Sequence, residues 1–207
     1  QDYDDIIRTI AFEVAPGLIA TGAQNAATAK IDGVEFDGFI RPFDGLTLSG
    51  TFAYTNPRYI DYRVPNAAFP SGFRDQSAQE FQNIAEFTYS LGARYEISVS
   101  DDLDLFTQVN WSHRSTASLF ENDLVPNVPG GPSAPISSTN QPAYGLLDAS
   151  LSVDIKSIDT TITIWGRNVL NERYLVSITS LVNNGVGAGF GTFGPPATVG
   201  VDVTKRF

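Results

Sequence analysis

The sequence has no cysteine, a single histidine and few charged residues for its 207 positions. Without cysteine, disulfide bonds and thiolate chemistry are both excluded. The one imidazole, that of His113, excludes a metal site built from several histidines. Charged residues make up 17% of the chain, below the quarter that is usual in soluble domains. No apolar run approaches the roughly 18 residues that a transmembrane helix requires.

Positive charge is also scarce, with 13 Lys and Arg against 23 Asp and Glu, which gives a net charge of −10. A nucleic-acid partner would require a basic stripe, so this class of function is excluded. Adhesion to an anionic membrane surface is excluded for the same reason. The charge does not exclude a place inside a membrane, because loops and a lumen can carry the acidic residues.

What the sequence does have is strict alternation of apolar and polar residues. From Phe87 to Val99 every odd position is apolar or aromatic and most even positions are polar, and Leu147–Ile155 repeats the pattern. Side chains of a strand point alternately to opposite faces, so this period predicts strands with one apolar and one polar face. Eight strands are predicted, at residues 3–14, 26–40, 46–55, 83–98, 102–114, 143–155, 160–175 and 196–207.

The connections between these strands alternate in length. Short ones are predicted at 41–45, 99–101 and 156–159, and long ones at about 15–25, 56–82, 115–142 and 176–195. In an up-and-down antiparallel sheet, this order places every short turn at one end and every long loop at the other.

Two architectures contain such strands: a soluble sandwich with its apolar faces inward, and a transmembrane barrel with its apolar faces toward lipid. The strand lengths, the loop asymmetry and aromatic residues near strand ends favour the barrel. The predicted fold class is therefore all-β, an antiparallel up-and-down transmembrane β-barrel. The aromatic residues assigned to the membrane interfaces are Phe43, Tyr54, Tyr59, Tyr62, Trp111, Tyr144, Tyr174 and Phe207.

Two segments carry a family resemblance. ITIWGRNVLNERYL (162–175) and GPPATVGVDVTKRF (194–207) resemble the last two strands of TonB-dependent outer-membrane receptors, and DGVEFDGFIRP with GLTLSGTFAYTN (32–56) is similar to a mid-barrel hairpin of that family. The signature positions are occupied by Asn168, Asn171, Glu172 and Tyr174. One departure is Pro195-Pro196, where the family commonly has Pro-Arg.

The resemblance implies that residues 1–207 are the C-terminal eight strands of a larger barrel of roughly 22 strands, with a plug domain located before Gln1. Small residues on the polar faces, such as Ser49, Ser90 and Gly92, suit a wide lumen. Two alternatives stay open: a self-contained eight-stranded barrel that acts as a pore or anchor, and a soluble β-sandwich binding module.

The implied function is TonB-energised uptake of a scarce solute, such as an iron–siderophore complex, a cobalamin or an oligosaccharide, across the Gram-negative outer membrane. The implied partners are outer-membrane lipid, the solute, TonB through the N-terminal region and the barrel-assembly machinery. In this family the terminal strand is the assembly signal, which corresponds here to Val199, Val201, Val203 and Phe207.

No catalytic, cofactor or metal site is predicted, and the chain is not expected to be an enzyme. His113 has no placed partners for a Ser-His-Asp arrangement. Asp101, Asp102 and Asp104 have spacing that could suit Ca²⁺, but a polar turn before a strand explains them better. Ligand contacts are expected on the long loops, and the candidate residues are Phe73, Arg74, Phe120, Phe190 and Phe193.

Overall fold

The computed structural model describes residues 1–15, 18–66, 69–119, 140–180 and 189–207. These residues form thirteen strands and one short 3-10 helix at Lys156–Ile158. No helix among them is long and apolar enough to cross a membrane. The strands are β1 (Asp2–Ala15), β2 (Leu18–Phe43), β3 (Leu46–Pro65), β4 (Phe73–Asp75), β5 (Phe87–Ser100), β6 (Leu103–Arg114), β7 (Ala117–Ser118), β8 (Asn140–Gln141), β9 (Tyr144–Ile155), β10 (Thr160–Arg167), β11 (Leu175–Ser180), β12 (Gly189–Phe193) and β13 (Thr198–Lys205).

Eight long strands pair in an antiparallel meander in the order β1-β2-β3-β5-β6-β9-β10-β13. This confirms the eight predicted strands and their up-and-down order. The five remaining strands are short and belong to the long connections, where β4 pairs with the end of β3, β7 pairs with β8 and β11 pairs with β12.

The three short turns lie at one end of the sheet, as predicted. In the first, Gly45 has φ +83°, and a Cβ there would lie 2.2 Å from the Glu96 carbonyl oxygen, so only glycine fits. The second and third turns are joined, because the Asp102 carboxylate accepts from the Ser157 backbone N–H at 2.5 Å and from its hydroxyl at 2.9 Å. Asp102 therefore caps a neighbouring turn.

The long loop predicted at about 15–25 is wrong. Residues 18–25 belong to β2 and pair with β1, for example through Thr21 with Ala11 and Asn25 with Ile7. The segment from Thr21 to Ala29 is rich in alanine and lacks apolar alternation. It is held as a strand by its backbone pairing, which no side-chain period indicates.

β3 is also longer than predicted, since it continues past residue 55 to Pro65. Proline cannot donate to a ladder and is tolerated on a strand edge. The pairing of β3 with β5 ends at Tyr54, so Pro57 lies where β3 pairs with β2 alone.

Two predicted strand ends need correction near the C-terminus. The strand predicted at 160–175 stops at Arg167, because Asn168 takes the left-handed φ of +47° and leaves the ladder. The last strand stops at Lys205, and Phe207 lies just beyond it. Arg206 N–H still donates to the Asp159 carbonyl at 2.8 Å, and the Lys205 ammonium donates to the Ile158 carbonyl.

The apolar face of the sheet is uncovered. Leu91 is 57% exposed, Ile164 56% and Val201 63%, although all three lie in the regular alternation. The apolar stretch of β5 runs from Phe87 to Val99, roughly 40 Å along the strand, which at the usual barrel tilt is roughly 30 Å of height. A soluble sandwich would bury these side chains, so the sandwich alternative is wrong.

The two edges of the sheet are open. Within the described part of the chain, β1 pairs only with β2, and β13 pairs only with β10. The first and last strands do not pair with each other, so the eight strands form an open wall. A closed eight-stranded barrel is therefore not what these strands form.

Trp111 fills a gap on the apolar face. Its indole lies across Gly145 on the adjacent strand, and a Cβ at Gly145 would lie 2.1 Å from the ring. The glycine therefore provides the space that the indole occupies near the end of the sheet with the long loops.

A buried apolar cluster lies on the part of the β2–β3 ladder that extends toward the long loops, beyond the pairing of β3 with β5. It consists of Ala27, Ala29, Tyr59, Tyr62 and Val64, with Phe81 packed against it. The rings of Tyr59 and Phe81 stack at 4.2 Å, and Tyr62 is only 1% exposed. Tyr59 and Tyr62 therefore pack inside this cluster. Their predicted position at a membrane interface is wrong.

Hydrogen bonds tie the loop of residues 69–86 to this core. The Asp75 carboxylate accepts from the Ser77 backbone N–H at 2.9 Å and from the Ser77 hydroxyl at 2.6 Å. Ser77 Oγ in turn accepts from the Tyr62 backbone N–H at 3.0 Å. The Ser77 hydroxyl first, then its backbone N–H and the charge of Arg63, hold the pKa of Asp75 below its ordinary value of 3.8.

The contact between Trp111 and Gly145 predicts a stability difference between two glycines of the apolar face. Gly145→Ala should destabilise the sheet by about 1–3 kcal/mol, because the indole must leave its position. Gly50→Ala is the matched control, since its Cβ would meet nothing closer than 3.5 Å. Urea unfolding in detergent measures both variants, and equal midpoints would show that the indole moves at no cost.

The pKa of Asp75 predicts an acid-sensitive loop. A carboxyl whose pKa is lowered on folding adds stability above its unfolded pKa and loses it as the pH falls through the folded value. Protease cleavage within residues 69–86 should therefore accelerate between about pH 5 and pH 3. Asp75→Asn should flatten this pH profile and Glu80→Gln, in the same loop, should not. A profile unchanged by Asp75→Asn would refute the role of this carboxylate.

Candidate functional site

The polar face of the sheet is built from cross-strand pairs of hydroxyl groups. Thr51 and Ser90 face each other on β3 and β5 with their hydroxyl oxygens 2.8 Å apart. Ser152 and Thr163 repeat this arrangement on β9 and β10, also at 2.8 Å. The hydroxyl groups of these short side chains hydrogen-bond to each other, so the face stays polar and has no bulky projecting side chains at these positions.

A groove of about 390 Å³ opens on this face, toward the end with the short turns. Its floor contains a carboxylate, Asp154, which accepts from the Thr161 hydroxyl at 2.6 Å. The side chains around it are cationic or hydrogen-bonding, apart from the ring of Phe106, which suits non-covalent contact with a surface of mixed character. The main polar side chains lining the groove are Arg94, Gln108, Ser150, Asp154, Thr161 and Arg206.

Nothing in the described residues brings nucleophile, base and acid together. His113 stacks on the Tyr89 ring at 4.8 Å on the apolar face. The acidic residues after β5 are engaged in structure, with Asp102 capping the turn at Ser157 and Asp104 paired with Lys156 at 3.1 Å. The described ranges contain no group of three or more His, Asp or Glu that could hold a metal ion.

Two of the expected ligand contacts, Phe73 and Arg74, lie on β4, which pairs with the end of β3. The guanidinium of Arg63 lies 4.8 Å above the Phe73 ring. Arg74 is 8% exposed, and its guanidinium lies against the side-chain amide of Gln76. Both side chains therefore pack within the loop. Phe120 lies outside the described residues.

The other two expected contacts, Phe190 and Phe193, lie on β12 of the β11–β12 hairpin. They are 65% and 54% exposed, and the guanidinium of Arg173 lies 4.8 Å above the Phe193 ring. An exposed aromatic ring next to a cation is suited to contact with a ligand. The structure does not bring these two residues together with Phe73 and Arg74 in one packed cluster of described residues.

The four family-signature positions do come together, in the turn that follows β10. Asn168 is 5% exposed, and its backbone N–H donates to the Asp148 carboxylate at 2.8 Å. Its side-chain Nδ2 donates to the Glu172 carbonyl at 2.9 Å and to the Pro195 carbonyl at 3.1 Å. Its Oδ1 accepts from the Glu172 N–H at 2.9 Å.

The remaining signature residues extend this turn. Asn171 also has a left-handed φ, +54°, and its Oδ1 accepts from the Ala197 N–H at 3.1 Å. Glu172 contributes through its backbone. Tyr174 stacks on Tyr144 at 4.5 Å, and burial raises the pKa of its hydroxyl, with further contributions from Tyr144 and Asp148.

Two polar partners of this turn, Asp148 and Gln141, cannot be recognised from the sequence. In the alternation of Leu147–Ile155, Asp148 is one polar position among several. Gln141 Oε1 accepts from the Leu175 N–H at 2.6 Å, although 34 positions separate the two residues. Neither contact has a local signal, because both depend on where a distant loop folds back.

The residues of the expected assembly signal lie on the final strand and its end. Val199, Val201 and Val203 share the apolar face of β13 and pair with Gly166, Ile164 and Ile162 of β10. All three valines are strongly exposed, and so is Phe207. A set of exposed apolar side chains on an open edge strand is a surface that another strand or lipid must cover.

Comparisons with known proteins agree with this geometry. A family model described as "TonB dependent receptor-like, beta-barrel" matches residues 1–169, so the match ends just after β10. No curated protein sequence matches the chain.

Several solved structures share the fold. The ferric yersiniabactin uptake receptor FyuA from Yersinia pestis is similar with a TM-score of 0.65 and 14% identity, over 88% of this chain and 24% of that one. The ferric preacinetobactin receptor BauA from Acinetobacter baumannii gives 0.57 and 15%, over 95% and 25%. The FrpB iron transporter from Neisseria meningitidis gives 0.51 and 16%, over 84% and 24%.

The chain thus spans about a quarter of the length of these structures. The identities are low, so the likeness concerns the fold. The family match covers most of the chain, from β1 through β10, and includes the hydroxyl-lined face and the exposed apolar face. The chain therefore belongs to the TonB-dependent receptor β-barrel family, whose members are receptors of the Gram-negative outer membrane and not enzymes.

Proposed function

We propose that residues 1–207 are the C-terminal portion of the barrel wall in a receptor for TonB-energised uptake of a scarce solute. The observation that carries this proposal is the division of one open sheet into an exposed apolar face and a hydroxyl-lined polar face, in a chain of this family. The apolar face would contact lipid, and the polar face would line the lumen around a plug. The coverage of about a quarter of each similar structure supports the same division.

Among the solutes considered, we propose a ferric siderophore ahead of a cobalamin or an oligosaccharide. The support is that two of the structurally similar proteins are described as receptors of ferric siderophores and a third as an iron transporter. The exposed Phe190 and Phe193 with Arg173 on the outer hairpin are chemically suited to an anionic, aromatic chelate.

The proposed mechanism is non-covalent. The outer loops and a plug bind the solute, and TonB then rearranges the plug by using the inner-membrane proton gradient. The residues of this chain would supply the wall along which the solute passes. Uncharged hydroxyl pairs such as Thr51–Ser90 offer weak, exchangeable hydrogen bonds, which allow passage without tight retention.

Uptake of radioiron-labelled ferric siderophores by cells that express the full-length receptor tests this proposal. We expect accumulation that requires TonB and stops when the proton gradient is collapsed, whereas surface binding persists without TonB. Accumulation that ignores TonB would indicate a passive pore and would contradict the proposal. If no ferric siderophore binds but a cobalamin or an oligosaccharide does, the proposed solute class is wrong and the bound compound takes its place.

Two neighbouring residues of β5 test the assignment of the two faces. Ser90→Trp places an indole on the polar face and should reduce uptake severalfold, because the wall there must stay low in relief. Leu91→Trp is the matched control at the same depth, and it should be tolerated because aromatic rings are stable toward lipid. Loss of uptake in the Leu91 variant with normal uptake in the Ser90 variant would reverse the faces.

We further propose that Val199, Val201, Val203 and Phe207 form the signal by which the barrel-assembly machinery handles this chain. Support comes from their position on the open edge strand β13 and at its end. Phe207→Ala should lower the amount of folded receptor in the outer membrane, measured by heat-modifiable migration. Arg206→Ala is the control, since Arg206 bonds Asp159 through its backbone. Equal amounts of the two variants would remove Phe207 from the signal.

A further inference from the structure

The β11–β12 hairpin is attached to the rest of the molecule at its base. Its two strands form a sheet of their own and make no backbone ladder with the eight-stranded meander among the described residues. The position of its exposed residues Phe190 and Phe193, and of Arg173 just before β11, must therefore be determined by the segments that enter and leave the hairpin.

Both of these segments meet at one side chain. The Asn168 amide donates to the Glu172 carbonyl on the entering segment and to the Pro195 carbonyl on the leaving segment. Its oxygen accepts from the Glu172 N–H. The amide nitrogen thus donates to both segments, while the amide oxygen accepts from the entering segment.

The same residue is fixed to the wall of the sheet. Its backbone N–H donates to the Asp148 carboxylate on β9, and the adjacent Val169 N–H donates to the Leu147 carbonyl at 2.9 Å. Asp148 belongs to the polar face, so the turn is oriented toward that side of the sheet. Asn168 therefore connects the two legs of the hairpin to the wall.

Three further contacts hold the base of the hairpin next to the Asn168 amide. Gly194 N–H donates to the Tyr174 carbonyl at 2.8 Å, and Tyr174 stacks on Tyr144 of β9 at 4.5 Å. Leu175 N–H donates to Gln141. These contacts lie next to the Asn168 turn, and they hold the hairpin near the outer end of the polar face.

We propose that Asn168 is a positioning residue, whose amide holds both legs of the β11–β12 hairpin to the wall and so places Phe190, Phe193 and Arg173 at the outer end of the polar face. The residue type follows from two requirements. A φ of +47° favours Gly, Asn or Asp. Glycine has no amide, and aspartate could neither donate to two carbonyls nor lie comfortably beside Asp148.

The consequence for binding rests on the proposed function. If the hairpin contacts the ferric siderophore, its position determines the affinity for that solute. The hairpin position itself can be measured without any solute, so the two claims can fail separately.

The first experiment compares Asn168→Gly with Asn171→Gly in the full-length receptor. Both residues have a left-handed φ that glycine adopts freely, so neither substitution strains the backbone. Asn168→Gly removes three side-chain hydrogen bonds and Asn171→Gly removes one, that to Ala197. The pair therefore separates the amide of Asn168 from the conformation of the turn.

Spin labels on Thr179 in β11 and Asn56 in β3 report the position of the hairpin through their distance. This chain contributes no cysteine of its own, so the two introduced thiols are the only ones it adds. We expect one narrow distance distribution in the parent and in Asn171→Gly, and a broad, shifted one in Asn168→Gly. A narrow distribution at the parental distance in Asn168→Gly would overturn the proposal.

Hydrogen exchange of the amides in 175–180 and 189–193 gives a second readout. Each net hydrogen bond is worth roughly fivefold in an opening equilibrium, so exchange should accelerate roughly tenfold to a hundredfold in Asn168→Gly. Asn171→Gly should change it by roughly fivefold or less. Equal acceleration in the two variants would also overturn the proposal, because the turn as a whole would then be responsible.

Heat-modifiable migration separates positioning from assembly. Asn168→Gly should still form a folded barrel, because its missing bonds lie outside the main ladder. If it does not accumulate, Asn168→Asp is used instead, together with Asp148→Asn so that no second carboxylate lies beside the new one. This pair keeps the acceptor for Glu172 N–H and loses both donors of the Asn168 amide. A parental label distance in this double variant would then overturn the proposal. A displaced hairpin with unchanged binding of radioiron-labelled siderophore would leave the positioning role intact and remove the hairpin from the binding site.

Discussion

The antiparallel backbone ladder is the constraint on which the rest of the structure depends. Eight strands exchange N–H···O=C bonds in one continuous order, and every side chain takes its face from that pairing. In lipid no water can satisfy an open backbone group, so a spanning strand must be paired along its length. The ladder also explains why β2 and β3 stay paired beyond the apolar band, where their side chains give no alternation, although their register shifts by one residue between Thr28 and Ala29.

Different parts of the structure are stabilised by different interactions, according to the position along the strands and the face of the sheet. On the apolar face, side chains such as Leu91 and Ile164 are exposed, so they contribute little hydrophobic stabilisation unless an apolar phase such as lipid covers them. Beyond that band, Tyr62 and its neighbours form a compact core that is independent of lipid. The loop ends of β2 and β3 are thus held by ordinary packing, and the rest of the wall is held chiefly by backbone pairing.

Most of the wall could be predicted from the sequence, because period-two alternation is a local signal. The strands around Leu91 and Leu151 and the three short turns follow from it directly. The outer extension of β2 could not be predicted in this way, since Thr21–Ala29 is uniform in character and is held only by its partner strand. The end of β10 at Asn168 was missed because one left-handed residue interrupts a sequence that otherwise continues the pattern. Contacts such as Gln141 with Leu175 join residues far apart in the chain, so no window of sequence contains them.

The attachment of the last strand to a neighbouring turn has a consequence for how β13 meets any other strand. The Lys205 ammonium and the Arg206 N–H both bond carbonyl groups of the 156–159 turn, so β13 cannot slide along β10 without breaking them. A shift of two residues would preserve the faces, but it would break these two bonds and move Gly200 away from the Trp165 ring that lies across it. The free edge of β13 therefore presents its backbone donors and acceptors at fixed positions along the strand. A strand that pairs with this edge has its register, and so the stagger between the two strands, determined by the contacts of the 156–159 turn.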